Sequence, residues 1–138
     1  MLHQKQVRDL MLPVAHPLKG QMALSEAVEL ILMSGQLGLP VVDDRRAVIG
    51  FLSEHDCLRY LVSSSYYCDS RIQVSDIMHQ EPLCVAPGDS VVDLAQQMSQ
   101  SKPKNYPVVE QGRLLGMITR RQIMMELNRM LRECKVAI

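Results

Sequence analysis

The sequence predicts an α+β fold of two β-α-β-β-α repeats packed as one pseudo-two-fold-symmetric domain. Three observations predict it. A shift of 67 residues lays Val7-Arg8-Asp9-Leu10-Met11 on Val74-Ser75-Asp76-Ile77-Met78, and Pro40-Val41-Val42 on Pro107-Val108-Val109. Beyond a turn that is one residue shorter in the second copy, the shift becomes 66, and Gly50, Ser53 and Leu61 match Gly116, Thr119 and Leu127. Within each copy the apolar spacing reads as helix, then two short strands, then helix again.

Each copy begins with a short helical turn and an extended piece carrying prolines: Pro13 and Pro17 in the first, Pro82 and Pro87 in the second. A helix follows over about residues 24–35, where Leu24, Val28, Ile31, Leu32 and Gly35 form one stripe, and its counterpart covers about 91–101. Strands are predicted at 39–42 and 48–52, joined by a polar turn at 43–46; the counterparts are 106–109 and 114–118, with Gly112 in the turn. The closing helix runs over about 54–62 in the first copy and continues through Leu127, Met130 and Leu131 in the second. The expected organisation is therefore repeat 1 at 1–62, a linker at 63–73 and repeat 2 at 74–138 with a C-terminal helix extension. Half a chain of this length buries too little surface to be comfortable alone, so the halves are expected to share a core, with a cleft between them occurring twice.

The composition excludes several classes. With 138 residues, 47% of them hydrophobic and 22% charged, the chain is long enough for a real core. Fifteen basic and fifteen acidic residues cancel, so no overall field draws in nucleic acid or an anionic membrane. One Phe, four Tyr and no Trp leave few stacking platforms for single strands. No apolar run approaches the roughly 20 residues of a membrane helix. Asp9 and Pro13 interrupt any signal-peptide segment, and a cytoplasmic location is expected. Cys57, Cys68, Cys84 and Cys134 have neither a C-x-x-C pair nor zinc-ligand spacing, and with His55 and His79 they make no metal site; Cys57 lacks a paired base for nucleophilic chemistry. The methionines fall mostly on helical stripes (Met98, Met124, Met125, Met130), which reads as packing. No catalytic residues are expected.

The chemistry concentrates in one stretch, Gly50-Phe51-Leu52-Ser53-Glu54-His55-Asp56, which returns as Gly116-Met117-Ile118-Thr119-Arg120-Arg121-Gln122. Two readings compete. A hydroxyl followed three residues later by an acid or amide at a helix start is a capping box. The same hydroxyl, free N–H groups and helix dipole also suit sugar or phosphate oxygens, and a carboxylate can accept both hydroxyls of a ribose through charge-assisted bonds. Thr119 with Gln122 keeps the cap and drops the charge, so Asp56 marks one competent site and Gln122 a weaker or repurposed one.

A helix, a Pro-Val-Val strand, a turn, then glycine, an apolar run, Ser/Thr-x-x-Asp and a helix, twice over, resembles the CBS (cystathionine β-synthase) domain as a tandem pair, the Bateman module of stand-alone CBS-domain proteins. The resemblance runs from about Val7 to Leu127. It implies a sensor rather than an enzyme, binding AMP, ADP, ATP or S-adenosylmethionine in the cleft between the repeats. The alternative is a ligand-free dimerisation or protein-interaction module. The resemblance further implies homodimers through the CBS helices and an unidentified protein target. Carried over by position, it gathers Val85, Ala86 and Pro87 beside the base, and Lys104, Asn105 and Tyr106, around Phe51, Ser53 and Asp56. There Lys104 would meet phosphate and Tyr106 the adenine. A second, weaker site would use Thr119, Arg120 and Gln122, lined by Leu18, Gly38 and Leu39.

Overall fold

The computed structural model describes residues 5–67, 71–100 and 102–134. In chain order the elements are α1 (Val7–Leu10), β1 (Leu18–Lys19), α2 (Leu24–Ser34), β2 (Gly38–Val42), β3 (Val48–Ser53), α3 (Glu54–Tyr67), α4 (Val74–Ile77), β4 (His79–Gln80), α5 (Val91–Met98), β5 (Asn105–Glu110), β6 (Arg113–Thr119) and α6 (Arg120–Cys134). The α+β class and both repeats stand as expected. Several boundaries move. Helix α3 continues through Ser63 to Tyr67, five residues into the expected linker, because an established helix carries serines at little cost. Helix α5 stops at Met98 rather than near Ser101, and Ser101 lies outside the described residues.

The chain divides into two compact units that do not coincide with the two repeats. One takes Val14–Pro82 with Gly112–Leu114; the other takes the chain up to Pro13, Leu83–Gln111 and the chain from Leu115. The opening helix of each repeat therefore lies in the unit built by the other repeat. The same bonds hold both in place. Val7 N donates to Asp89 O at 2.9 Å and Arg8 N to Pro87 O at 2.8 Å; in the other unit Val74 N donates to Met22 O and Ser75 N to Gly20 O, both at 2.9 Å. Every donor and acceptor in the second set matches the first by the 67-residue shift. Short helices of four residues are marginal alone, and each is closed by a box in which Asp9 or Asp76 accepts from the backbone of Gln6 or Gln73.

In the first unit the sheet order is β1-β2-β3-β4, with β1 parallel to β2 and the other pairs antiparallel. The second unit repeats the pattern with β5 and β6 flanked by single bridges, Val85 parallel to Val108 and Leu12 antiparallel to Met117. This explains the recurring glycines. A Cβ on Gly50 would lie 2.5 Å from Met78 Sδ and 3.0 Å from His79 O, and one on Gly116 would lie 2.5 Å from Leu12 O. The exchanged segment lies directly on each glycine, and no side chain fits between.

Helix α2 buries Leu24, Ala27 and Ile31 and ends where Gly35 turns left-handed at φ 71°, its N–H on Leu32 O. Leu32, assigned to the inner stripe from spacing, points outward at 65% exposure. Helix α5 starts at the cap Ser90, whose Oγ accepts from Asp93 N at 3.2 Å. In its unit Val7 packs with Val91, Leu94, Met98, Tyr106, Val108, Ile118 and Ile123. The unit containing α2 buries Leu18, Leu39, Val41, Leu52 and Val74.

Candidate functional site

In the first unit β3 passes into α3 without a break, so Ser53 ends the strand and Glu54 begins the helix. The antiparallel register sets Gly38 opposite Ser53, and Glu54 N donates to Leu37 O at 2.8 Å, which ties the start of β2 to the helix N-terminus. A Cβ on Gly38 would meet Leu52 O at 2.6 Å and Phe51 Cε1 at 2.7 Å. The Phe51 ring therefore lies against Gly38, half-buried.

Ser53 and Asp56 close a capping box. Ser53 N donates to Asp56 Oδ2 at 3.2 Å, and Asp56 N donates to Ser53 Oγ at 3.1 Å. Only one carboxylate oxygen is used; Oδ1 has no hydrogen-bond partner among the described residues. The half-buried charge sits in the first helical turn, where the dipole favours it. Next to it, burial pushes the Cys57 thiol up to about 11, with the charges of Asp56 and Glu54 adding to the effect. That thiol is protonated at neutral pH and is no nucleophile.

The second unit builds the same corner with different groups. Arg120 N donates to Lys104 O at 2.8 Å, the counterpart of Glu54 on Leu37. Thr119 N donates to Gln122 Oε1 at 3.1 Å, and the Thr119 hydroxyl donates to the same amide oxygen. Thr119 is 5% exposed, so its hydroxyl is turned inward and consumed by the cap. Around it stand the exposed Lys104 and Arg120 and the half-buried Asn105. One corner thus presents Leu37, Gly38, Phe51, Ser53 and a carboxylate; the other presents two cations and two amides.

The structure regroups the sequence-derived residues. Phe51, Ser53 and Asp56 share a unit with Gly38, Leu39 and Leu18, whereas Val85, Ala86, Pro87, Lys104, Asn105 and Tyr106 share a unit with Thr119, Arg120 and Gln122. Gly38 at the start of β2 pairs with Ser53 of its own repeat, and beside the start of β5 Lys104 O accepts from Arg120 N of its own repeat. Tyr106 does not offer a ring for stacking: it is 2% exposed in the core, because β5 is buried on both faces from Tyr106 to Val108. Its hydroxyl has no hydrogen-bond partner among the described residues, and burial pushes its pKa up. Leu18, Leu39 and Pro87 are also buried, while Ala86 is exposed and Val85 is half-buried at its bridge to Val108. Leu37 is the residue that sequence reasoning missed; its signal was the 67-residue match to Lys104. Among the described residues no three His, Cys, Asp or Glu side chains are grouped to hold a metal, and no helix is long and apolar enough to cross a membrane.

Comparison with known proteins agrees with this geometry. The CBS domain model matches residues 7–63 and again 74–129. The Methanocaldococcus jannaschii protein MJ1225 is 30% identical over 113 residues, which are 82% of this chain but 39% of that protein, so the chain spans well under half of its length. The structure of Arabidopsis thaliana CBSX2 in complex with AMP superposes with a TM-score of 0.76 at 28% identity, covering 91% of this chain and 97% of that one. A putative acetoin utilization protein (AcuB) from Vibrio cholerae gives a TM-score of 0.83 at 25% identity, covering 96% and 98%. With two matched copies in order and an α+β repeat pattern, the chain belongs to the CBS domain family as a tandem CBS pair, a Bateman module.

Proposed function

We propose that this module senses an adenosine-containing nucleotide, AMP, ADP or ATP, with S-adenosylmethionine as a further ligand of the same class, and that Asp56 grips the ribose. One observation carries the reading: Asp56 keeps an acceptor oxygen unused at a helix N-terminus, while its counterpart Gln122 is an amide spent on its cap. A carboxylate accepting both hydroxyls of a vicinal diol makes two charge-assisted bonds, which an amide oxygen cannot match. Phe51 and Leu37 supply an apolar border for the base. The CBSX2 complex with AMP supports the ligand class. Binding shifts the population of module conformations, and an unidentified protein target reads the shift. We place the module in the cytoplasm, as a homodimer formed through its helices.

The second reading is a ligand-free dimerisation or interaction module, favoured by the fact that capping alone explains the Ser53–Asp56 pair. Calorimetric titration of the chain with AMP, ADP, ATP and S-adenosylmethionine separates the two. Saturable heat with at least one of them is expected; none with any of them overturns the sensor reading.

A further inference from the structure

We propose that the groove between α2 and β1 is a second ligand site of this chain, built for a zwitterionic amino acid with an apolar side chain. The inference is independent of the nucleotide reading. The groove has a volume of about 530 Å³, and its lining belongs wholly to the unit that holds β1–β4. Pro17, Met22, Leu30 and Val42 give it an apolar surface, and Glu26 stands one turn before Leu30 on α2. The turn 43–46 closes it at the far end of the β2–β3 hairpin. Ser53 and Asp56 lie at the other end, where Gly38 pairs with Ser53. From Gly38 to Val42 the strand between the two ends spans about 13 Å, so the groove and the Asp56 corner are separate places.

The charges lining the groove decide the ligand class. Lys19 Nζ donates to Asp43 O at 3.1 Å and lies 3.6 Å from Asp44 Oδ1, which fixes the ammonium and leaves it a donor to spare. Arg46 Nε donates to Leu114 O at 3.1 Å and Nη2 to Val14 O at 3.4 Å; Nη1 has no partner among the described residues. Asp43 Oδ1 accepts from Ala47 N and Arg45 N, both at 2.9 Å, which holds its carboxyl below the usual range. Glu26 and His16 are exposed and have no hydrogen-bond or ion-pair partner among the described residues. Nucleotide phosphates would meet three carboxylates here, those of Glu26, Asp43 and Asp44. A molecule with one carboxylate and one ammonium satisfies both signs through charge-assisted bonds. Its carboxylate takes Lys19 and Arg46, its ammonium takes Glu26 and Asp44, and its side chain takes the apolar surface.

The second copy shows what the fold itself requires. The 67-residue shift lays Glu26 on Asp93 and Asp43 on Glu110, so two of the acids recur. His16 falls on Leu83 and Lys19 on Ala86, and beyond the turn Arg46 matches Gly112. Arg46 is left-handed at φ 66° and Gly112 at φ 78°, a conformation that costs an arginine and not a glycine. The cations are unshared between copies that fold alike, the same signature that sets Asp56 apart from Gln122.

The test is calorimetric titration of the full chain with L-valine, L-leucine and L-methionine, and with two analogues of L-leucine: L-leucinamide, which lacks the carboxylate, and 4-methylpentanoate, which lacks the ammonium. Saturable heat is expected with at least one amino acid, and binding of either analogue is expected to be weaker by roughly tenfold or more. Lys19→Met and Glu26→Gln are each expected to weaken amino-acid binding by roughly tenfold and to leave AMP titrations unchanged. Glu26 has no partner among the described residues, so Glu26→Gln keeps the test sound if Lys19→Met fails to fold. No saturable heat with any of the three amino acids, an analogue that binds as tightly as the best of them, or unaltered affinity in Glu26→Gln would overturn the site. AMP heats from the same samples report on Asp56 separately, so either reading can fall without the other.

Discussion

Asp56 and Gln122 occupy the same corner of matching capping boxes: Asp56 Oδ2 accepts the Ser53 N–H at 3.2 Å, and Gln122 Oε1 accepts the Thr119 N–H at 3.1 Å. The cap needs an acceptor at this position and not a charge. Asp56→Asn is therefore expected to change stability by less than about 0.5 kcal/mol, while Ser53→Ala, which removes the oxygen that Asp56 N bonds, costs about 1 kcal/mol. Urea denaturation of the two variants checks the ranking, and a larger loss for Asp56→Asn would contradict it.

Gly116→Ala is expected to destabilise more than Gly50→Ala. The added methyl at Gly116 meets the backbone oxygen of Leu12 at 2.5 Å, whereas at Gly50 the nearest atom is the flexible Met78 Sδ. Overpacking of this kind costs about 1–3 kcal/mol, the upper end belonging to the rigid neighbour. Chemical denaturation of both variants reads the order directly; equal effects would argue against the exchanged segments lying on these glycines.

Tyr106→Phe is expected to leave nucleotide affinity unchanged and to raise stability by up to about 1 kcal/mol, since it deletes a buried hydroxyl without a partner. A fall in affinity of tenfold or more would return Tyr106 to the ligand.

The Cys57 thiol carries a pH dependence. Its folded value is about 11 against an ordinary 9.0, raised first by burial and then by Asp56 and Glu54. A thiol held protonated by the fold contributes nothing to the pH dependence below its unfolded value. Its contribution is lost as pH climbs from 9.0 toward about 11, because the unfolded chain releases the proton first. Iodoacetamide at neutral pH is expected to modify the exposed Cys134 and spare Cys57, as read by mass spectrometry. Asp56→Asn, which removes one of the two raising charges, should lower the pH at which Cys57 reacts.

Much of this fold was legible because it is written in local periodicity. Stripes at 3.6 residues marked α2 and α5 and the Pro-Val-Val runs marked β2 and β5, whereas Gly35, read as part of the helical stripe, ends α2 in a left-handed turn. The exchange of α1 and α4 was not legible, since two copies of one pattern do not say which copy each pairs with. The burial of Tyr106 was not legible because a strand buried on both faces lacks the alternation that tells inward from outward. Leu37 escaped notice because an apolar side chain carries no chemical signature; only its equivalence to Lys104 exposes it. The unequal pair Asp56 and Gln122 was readable from sequence, and the structure added that one carboxylate oxygen stays unspent.

The most direct measurement is the affinity of the wild-type chain and of Asp56→Asn for AMP, by calorimetry at one salt concentration, with the fold of both checked by circular dichroism. Losing a charge-assisted hold on a diol of about 1.5–3 kcal/mol predicts at least a tenfold weaker Kd for Asp56→Asn with an unchanged fold. Equal affinity of the two proteins would contradict the assignment of Asp56 to the ribose and leave it as a helix cap.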